Sequence, residues 1–90
     1  MKLPVNYDNL HYTERKAVRE EYIRVQDGRC YHCGLSLAEA PNMSLPIKWK
    51  LFPKGFLDNP VHLHHSHATG MTLGAVHAYC NAVLWQYHGE

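Results

Sequence analysis

The sequence lacks any apolar run of about 18 residues or more, so it predicts no transmembrane helix and no membrane partner. Its N-terminal stretch lacks the apolar core of a signal peptide, so we expect retention in a reducing cytoplasm. Cysteine is scarce, with three residues in the chain. In a reducing compartment, cysteines indicate metal binding or a catalytic role rather than disulfide bonds.

The formal net charge of +1 does not identify a class of partner, but the charges are unevenly distributed. No Lys or Arg follows Lys54, whereas most of the eight histidines do. Basic side chains in the first half can contact the phosphates of a nucleic acid. The candidates for such contacts are Arg15, Lys16, Arg19, Lys48, Lys50 and Lys54. For the first three, the alternative is an ordinary solvated surface.

The length of 90 residues predicts a single domain, residues 1–90. A core of this size needs an additional stabilising link, such as a bound metal. Apolar residues at three- and four-residue spacings predict a helix over 14–26. Thr13 is the expected N-cap, and Asp27-Gly28 the expected end, because glycine tolerates the left-handed conformation.

The segment 37–60 contains four prolines and predicts a loop-rich region, with a short strand at 47–51 where apolar and cationic residues alternate. Over 61–88 the pattern changes from alternation to helical composition, which predicts the order strand, turn, strand, helix. The fold class expected is therefore α+β. The aromatic residues assigned to packing rather than to base stacking are Trp49, Tyr79, Trp85 and Tyr87.

The three cysteines and one histidine have the spacing of a zinc site. Cys30-x-x-Cys33 lies in a predicted tight turn over 30–34, and His77-x-x-Cys80 provides a second pair. Together they form a Cys₃His set, which is typical of structural zinc and would staple the first helix to the C-terminal segment. The alternatives are a redox-active Cys-x-x-Cys, or a surface histidine beside a buried thiol.

A dense histidine cluster precedes the second zinc pair. His62, His64, His65 and His67 lie within six residues, and Asn81 directly follows the last zinc cysteine. On a regular strand His62 and His64 share one face and His65 points to the other. Adjacent histidines can converge on one ion if the strand end bends. A structural or adventitious metal site without hydrolysis is the alternative.

The residues HLHHSHATG at 62–70, followed by HAYCN at 77–81, resemble the HNH, or ββα-metal (His-Me finger), endonucleases. They are most similar to the phage recombination endonuclease VII type. That type has an Asp-His pair, then Cys-His, Thr-Gly and Cys-x-x-Cys-Asn, with a further Cys-x-x-Cys upstream. The similarity covers Arg29–Leu35 and Val61–Leu84.

The resemblance implies a zinc-stabilised ββα-metal domain with an N-terminal helix, acting as a metal-dependent DNA endonuclease. It places His65 as the general base, and His64 and Asn81 as ligands of a catalytic divalent ion. His67 matches a family histidine near the site. His88, two helical turns after Asn81, is a candidate third ligand of that ion.

Two positions depart from the endonuclease VII pattern. His64 stands where that type has Asp, and His77 replaces a zinc cysteine. The Asn that the family often carries between its strands is also missing. Because imidazole suits Mn²⁺, Ni²⁺ or Co²⁺ better than Mg²⁺, we expect Mn²⁺ or Ni²⁺ to support at least as much activity as Mg²⁺.

The partner expected is DNA, and the sequence leaves open whether the chain is a monomer or a homodimer. If a phage encodes it, the host cell cytoplasm is the expected compartment. The alternative function is a non-catalytic, zinc-stabilised module that binds DNA or another protein.

Overall fold

Two helices and one two-stranded antiparallel sheet make up the regular structure of the computed structural model, which describes residues 2–89. Helix α1 spans Tyr12–Val25, strand β1 Val61–His65, strand β2 Thr72–His77 and helix α2 Ala78–His88. The expectation of a small α+β domain is confirmed for this part of the chain. No helix within it is both long enough and apolar enough to cross a bilayer.

Helix α1 begins two residues before the predicted start because His11, and not Thr13, is its N-cap. The Glu14 carboxylate accepts a hydrogen bond from the His11 backbone N–H at 3.0 Å, which completes a capping box. The helix ends at Val25 and is followed by Asp27 and Gly28, both in the left-handed region with φ of 57° and 72°.

Helix α1 is attached to strand β2 by buried polar side chains as well as by apolar packing. The Tyr22 hydroxyl lies 2.9 Å from the Thr72 hydroxyl, which also accepts from the Val5 backbone N–H at 3.0 Å. The Gln26 side chain accepts from the Ala75 N–H at 2.8 Å and donates to the Ala75 carbonyl at 2.9 Å. These hydrogen bonds pair backbone groups on the edge of β2 that does not face β1, and they hold the end of α1 against the hairpin.

The β1–β2 hairpin carries an irregularity at the histidine cluster. His62 pairs with Val76 and His64 with Gly74, but the register shifts between His64 and His65, so that His65 pairs with Thr72. A bulge bends a strand and redirects the side chains beside it. Leu73 is the additional residue, so the irregularity lies in β2, opposite the step from His64 to His65.

The strand predicted at 47–51 is wrong: Trp49–Leu51 forms a single 3-10 turn. The backbone here bonds to side chains of α2 instead of to a neighbouring strand. The Lys48 N–H donates to the Gln86 carboxamide at 2.9 Å, and both the Gln86 side chain and the Tyr87 hydroxyl donate to the Pro46 carbonyl. Alternating apolar and cationic residues form a strand only where a neighbouring strand can pair with their backbone, and here the backbone bonds to α2 side chains instead.

The core lies where α1, the hairpin and α2 meet. Ala75 and Val76 of β2 are completely buried, and Val18 from α1 and Val83 from α2 pack into the same cluster. The core therefore holds the start of α2 against the hairpin, and residues of both predicted metal sites lie at this junction.

Candidate metal centre and active site

Cys30, Cys33, His77 and Cys80 bring four donor atoms together, all within 4.8 Å of one another. The Nδ1 atom of His77 lies 3.5 Å from the Cys33 sulfur and 3.6 Å from the Cys80 sulfur. A tetrahedral zinc ion with Zn–S of about 2.3 Å and Zn–N of about 2.0 Å sets S···N edges of about 3.6 Å. The group therefore has the spacing of a structural zinc site.

The His77 ring is oriented by the backbone of the segment that follows the first cysteine pair. Its Nε2 atom lies 2.9 Å from the carbonyl oxygens of both Ser36 and Glu39. Carbonyls only accept, so Nε2 carries the proton and Nδ1 presents its lone pair toward the thiols. Metal-bound histidines in proteins have this second hydrogen bond. No sequence pattern marked Ser36 or Glu39, because they act through backbone oxygens.

The thiols of Cys30 and Cys80 are joined by a hydrogen bond. A hydrogen bond with the Cys80 thiol lowers the pKa of Cys30 to about 4. The same bond, followed by burial, raises the pKa of Cys80. The Cys80 thiol therefore donates a hydrogen bond to the Cys30 thiolate. A cation bound to the group would displace the proton and stabilise the negative charge on the sulfurs.

Asn81, in the first turn of α2, joins two histidines of β1. Its Oδ1 atom lies 3.1 Å from Nδ1 of His64, and its Nδ2 atom lies 3.1 Å from Nδ1 of His62. The Nε2 atom of His62 lies 2.8 Å from the Phe56 carbonyl, which can only accept. His62 therefore donates through Nε2 and accepts at Nδ1, which turns the Asn81 oxygen toward His64.

His62 is a site residue to which the sequence analysis gave no role. Its signal was present, because it lies two residues before His64 and so faces the same side of β1. What the sequence did not contain was the position of the Phe56 carbonyl, which fixes the tautomer. Burial also lowers the pKa of His62 and keeps the ring neutral, as an acceptor of the Asn81 amide must be.

His64 and Asn81 have a separation that fits two ligands of one cation. Two donors at about 2.1 Å from an ion, at adjacent octahedral positions, lie about 3.0 Å apart, close to the 3.1 Å between these atoms. The donor set, one imidazole and one amide oxygen, suits a borderline divalent ion. His64 is only 1% exposed, so the surrounding residues hold the ring in place.

His65 and Asn81 lie on the walls of one cleft of about 370 Å³, which Arg15 and Arg19 also line and which we call the histidine cleft. The His65 ring stacks on Tyr7, with ring centroids 3.8 Å apart and planes inclined by 6°. Burial, followed by the nearby charge of His67, lowers the pKa of His65. The imidazole is therefore neutral at neutral pH, the form that can accept a proton.

Comparisons of this chain with protein-family models, with curated proteins and with solved structures find no match. The resemblance to the HNH endonucleases consequently stays a prediction from the motif residues. A proposal for the function therefore depends on the geometry of the Cys₃His group and of the histidine cleft.

The structure separates the two remaining candidate histidines. His67 lies beside His65, with ring centroids 5.0 Å apart, and lines a second cleft that also reaches Asn81. His88 lies beside the Cys30–Cys33 turn, where its ring is 6.1 Å from that of His32. Seven residues advance a helix by about 10 Å, so His88 shares a face with Asn81 but not its position. His88 is not among the residues that line the cleft of His65 and Asn81.

The candidate basic residues differ in their position relative to the two clefts. Arg15 and Arg19 line it, and the Arg15 guanidinium lies 4.0 Å from the centre of the Tyr7 ring. Lys16 is exposed on α1 and is not among the residues that line the cleft. The exposed residues Lys48, Lys50 and Lys54 belong to the loop that forms the second cleft.

Proposed function

We propose that the protein is an HNH-type, metal-dependent DNA endonuclease that hydrolyses phosphodiester bonds. The general base is His65, and the protein ligands of the catalytic divalent ion are His64 and Asn81. The observation that carries the proposal is the common cleft of His65 and Asn81, together with the 3.1 Å between the Asn81 oxygen and Nδ1 of the buried His64.

The role of His65 is to remove the proton from the water that attacks phosphorus. A general base must be unprotonated at working pH, and burial favours the neutral form of this ring. Stacking on Tyr7 limits rotation of the imidazole, so its nitrogen is held at the cleft and need not be ordered at each turnover.

The cleft also contains groups suited to holding a phosphate. Guanidinium groups bind phosphate oxygens through charge-assisted hydrogen bonds, and Arg15 and Arg19 of α1 line the same cleft as Asn81 of α2. When bound to His64 and Asn81, the divalent ion would act as a Lewis acid that stabilises negative charge on the phosphate and on the leaving oxygen.

The Cys₃His group serves this site indirectly. Cys80 precedes Asn81 in the first turn of α2, and Cys30 and Cys33 follow α1. Structural zinc at this point fixes the start of α2 to the loop after α1, and through that helix fixes the Asn81 side chain against β1. The proposed roles of the two metals are therefore separate: one is structural and the other is catalytic.

A plasmid-nicking assay tests the proposal against its rivals. Zinc-loaded protein is incubated with supercoiled plasmid and Mn²⁺, Ni²⁺, Co²⁺ or Mg²⁺, and DNA binding is measured in parallel. One such site cuts one strand, so we expect nicked circles before linear DNA, and only with a divalent ion present. Binding without cleavage under every ion would favour a non-catalytic DNA-binding module, and neither binding nor cleavage would favour a protein-interaction module.

A further inference from the structure

A second cleft adjoins the histidine cleft and has a different chemical character. It measures about 230 Å³, and its walls include Phe52, Phe56 and Trp85 as well as Asn81 and His67. Phe56 and Asn81 line both clefts, so a chain that passes the histidine cleft reaches the aromatic one directly. We refer to this second cleft as the aromatic cleft.

The aromatic residues here are in contact with one another but are not buried in the core. The Phe52 ring lies 5.2 Å from Trp85, 4.8 Å from Phe56 and 5.8 Å from Trp49, centroid to centroid. Trp85 is 43% exposed and Trp49 is 39% exposed. Both tryptophans therefore lie outside the core and pack against Phe52 at the surface. A contiguous exposed aromatic surface marks a site of interaction.

Positive charges alternate with aromatic residues along the segment 48–54, next to the aromatic cleft. Lys48, Lys50 and Lys54 flank Trp49 and Phe52, and all three are exposed. A surface that contacts only duplex phosphates needs cations but has no use for aromatic faces. Cations combined with exposed aromatic rings are typical of surfaces on which the bases of a single strand stack.

We propose that the aromatic cleft accepts an unpaired base of the DNA strand, next to the phosphate held in the histidine cleft. This inference deepens the proposed function and rests on it, because it makes DNA with single-stranded character the preferred substrate. The volume of about 230 Å³ is below the roughly 300–1,000 Å³ of pockets for drug-sized ligands, so it suits one ring system. Trp85 and Phe52 provide the stacking faces, and the lysines contact the adjoining phosphates.

Tryptophan fluorescence tests the inference directly, because both tryptophans of the chain lie at this surface. Zinc-loaded protein, without added catalytic ion, is titrated with a thymidine oligonucleotide and with a fully paired hairpin that carries the same number of phosphates. We expect the single strand to quench the emission and to bind about 10-fold more tightly, a preference typical of one stacked base. Equal affinity without selective quenching would overturn the inference.

Two variants test whether the Trp85 ring causes the preference for single-stranded DNA. Trp85→Leu keeps an apolar side chain but removes the ring, and Trp85→Phe restores a ring. By anisotropy of labelled DNA, we expect the first to lose the preference and the second to retain most of it, with hairpin affinity changed less than about threefold. If Trp85→Leu is poorly folded by circular dichroism or zinc content, Phe52→Leu replaces it, with the same loss of preference expected, because Phe52 provides the other stacking face. An undiminished preference in a folded Leu variant would contradict the inference.

Failure of this inference is distinguishable from failure of the proposed function, because binding is measured without cleavage. Divalent-dependent nicking with equal affinity for both oligonucleotides would overturn the stacking role alone. Selective quenching without nicking under any ion would support the stacking surface and contradict the endonuclease.

Discussion

The Oδ1 atom of Asn81 lies 3.1 Å from Nδ1 of His64, a separation that suits either a hydrogen bond or two adjacent ligands of one cation. The Cys80 thiol, part of the Cys₃His group, belongs to the preceding residue. A metal that fixes the backbone and a metal that performs chemistry would therefore be bound by consecutive residues at the start of α2.

The identity of the residue at position 64 should set the preference for the catalytic metal. His64→Asp introduces the hard oxygen ligand that the endonuclease VII type has at this position. We expect it to raise the ratio of Mg²⁺-supported to Mn²⁺-supported nicking roughly tenfold, because carboxylates suit Mg²⁺ and imidazole suits later divalent ions. The measurement is the initial nicking rate in each ion. Strict Mg²⁺ preference of the unchanged protein would count against His64 as a ligand.

The Cys₃His group should hold one zinc ion per chain, measured by elemental analysis of purified protein. We expect Cys33→Ser to lose that zinc and most of the folded structure, because zinc-binding free energy of about 10–16 kcal/mol is coupled to folding in small zinc domains. His32→Ala is the matched control, since His32 lies between the two cysteines and is exposed. Full zinc content and normal melting of Cys33→Ser would exclude the assignment.

His62 should act as a positioning residue for Asn81. His62→Phe keeps a ring but removes both hydrogen bonds, to the Asn81 amide and to the Phe56 carbonyl. We expect kcat to fall about 10- to 100-fold with weaker affinity for the catalytic ion, while KM for DNA changes little. His62→Gln, which can still bond to Asn81, should recover part of the loss. A merely structural role would lower melting temperature and leave ion affinity unchanged.

Nicking should increase with pH and level off near neutrality. Burial, and then the charge of His67, lowers the pKa of His65 below its usual 6.5, so its base form is complete above that value and is lost as pH falls through the lowered pKa. We expect His67→Gln to move the acidic limb of the rate profile to higher pH, because one neighbouring positive charge is removed. An acidic limb that stays in place would mean that another group titrates.

Residue spacing was sufficient to predict the Cys₃His group and the order helix, strand, strand, helix, because those features depend on local pattern. Cys-x-x-Cys and His-x-x-Cys each define half of a site, and the core brings the halves together. Spacing also places His88 on the same helix face as Asn81, but it does not give the distance along the helix axis, and the His88 ring lies beside that of His32.

What the sequence did not predict depends on contacts distant in the chain. The segment 47–51 has the alternation of a strand, yet its backbone bonds to Gln86 and so forms a turn. The position of the Phe56 carbonyl beside His62 likewise results from tertiary folding. Trp85 was assigned to packing from its type, and only its exposure in the folded chain separates a core residue from a surface one.

The most direct test of the central claim compares His65→Ala with the unchanged protein in Mn²⁺-supported nicking of a supercoiled plasmid. His88→Ala is the control, because it removes an imidazole that lies away from the cleft. With zinc content and DNA affinity unchanged, we expect His65→Ala to lose about 10²- to 10⁴-fold in rate and His88→Ala to retain it. A His65→Ala rate within a few-fold of the unchanged protein would contradict the account.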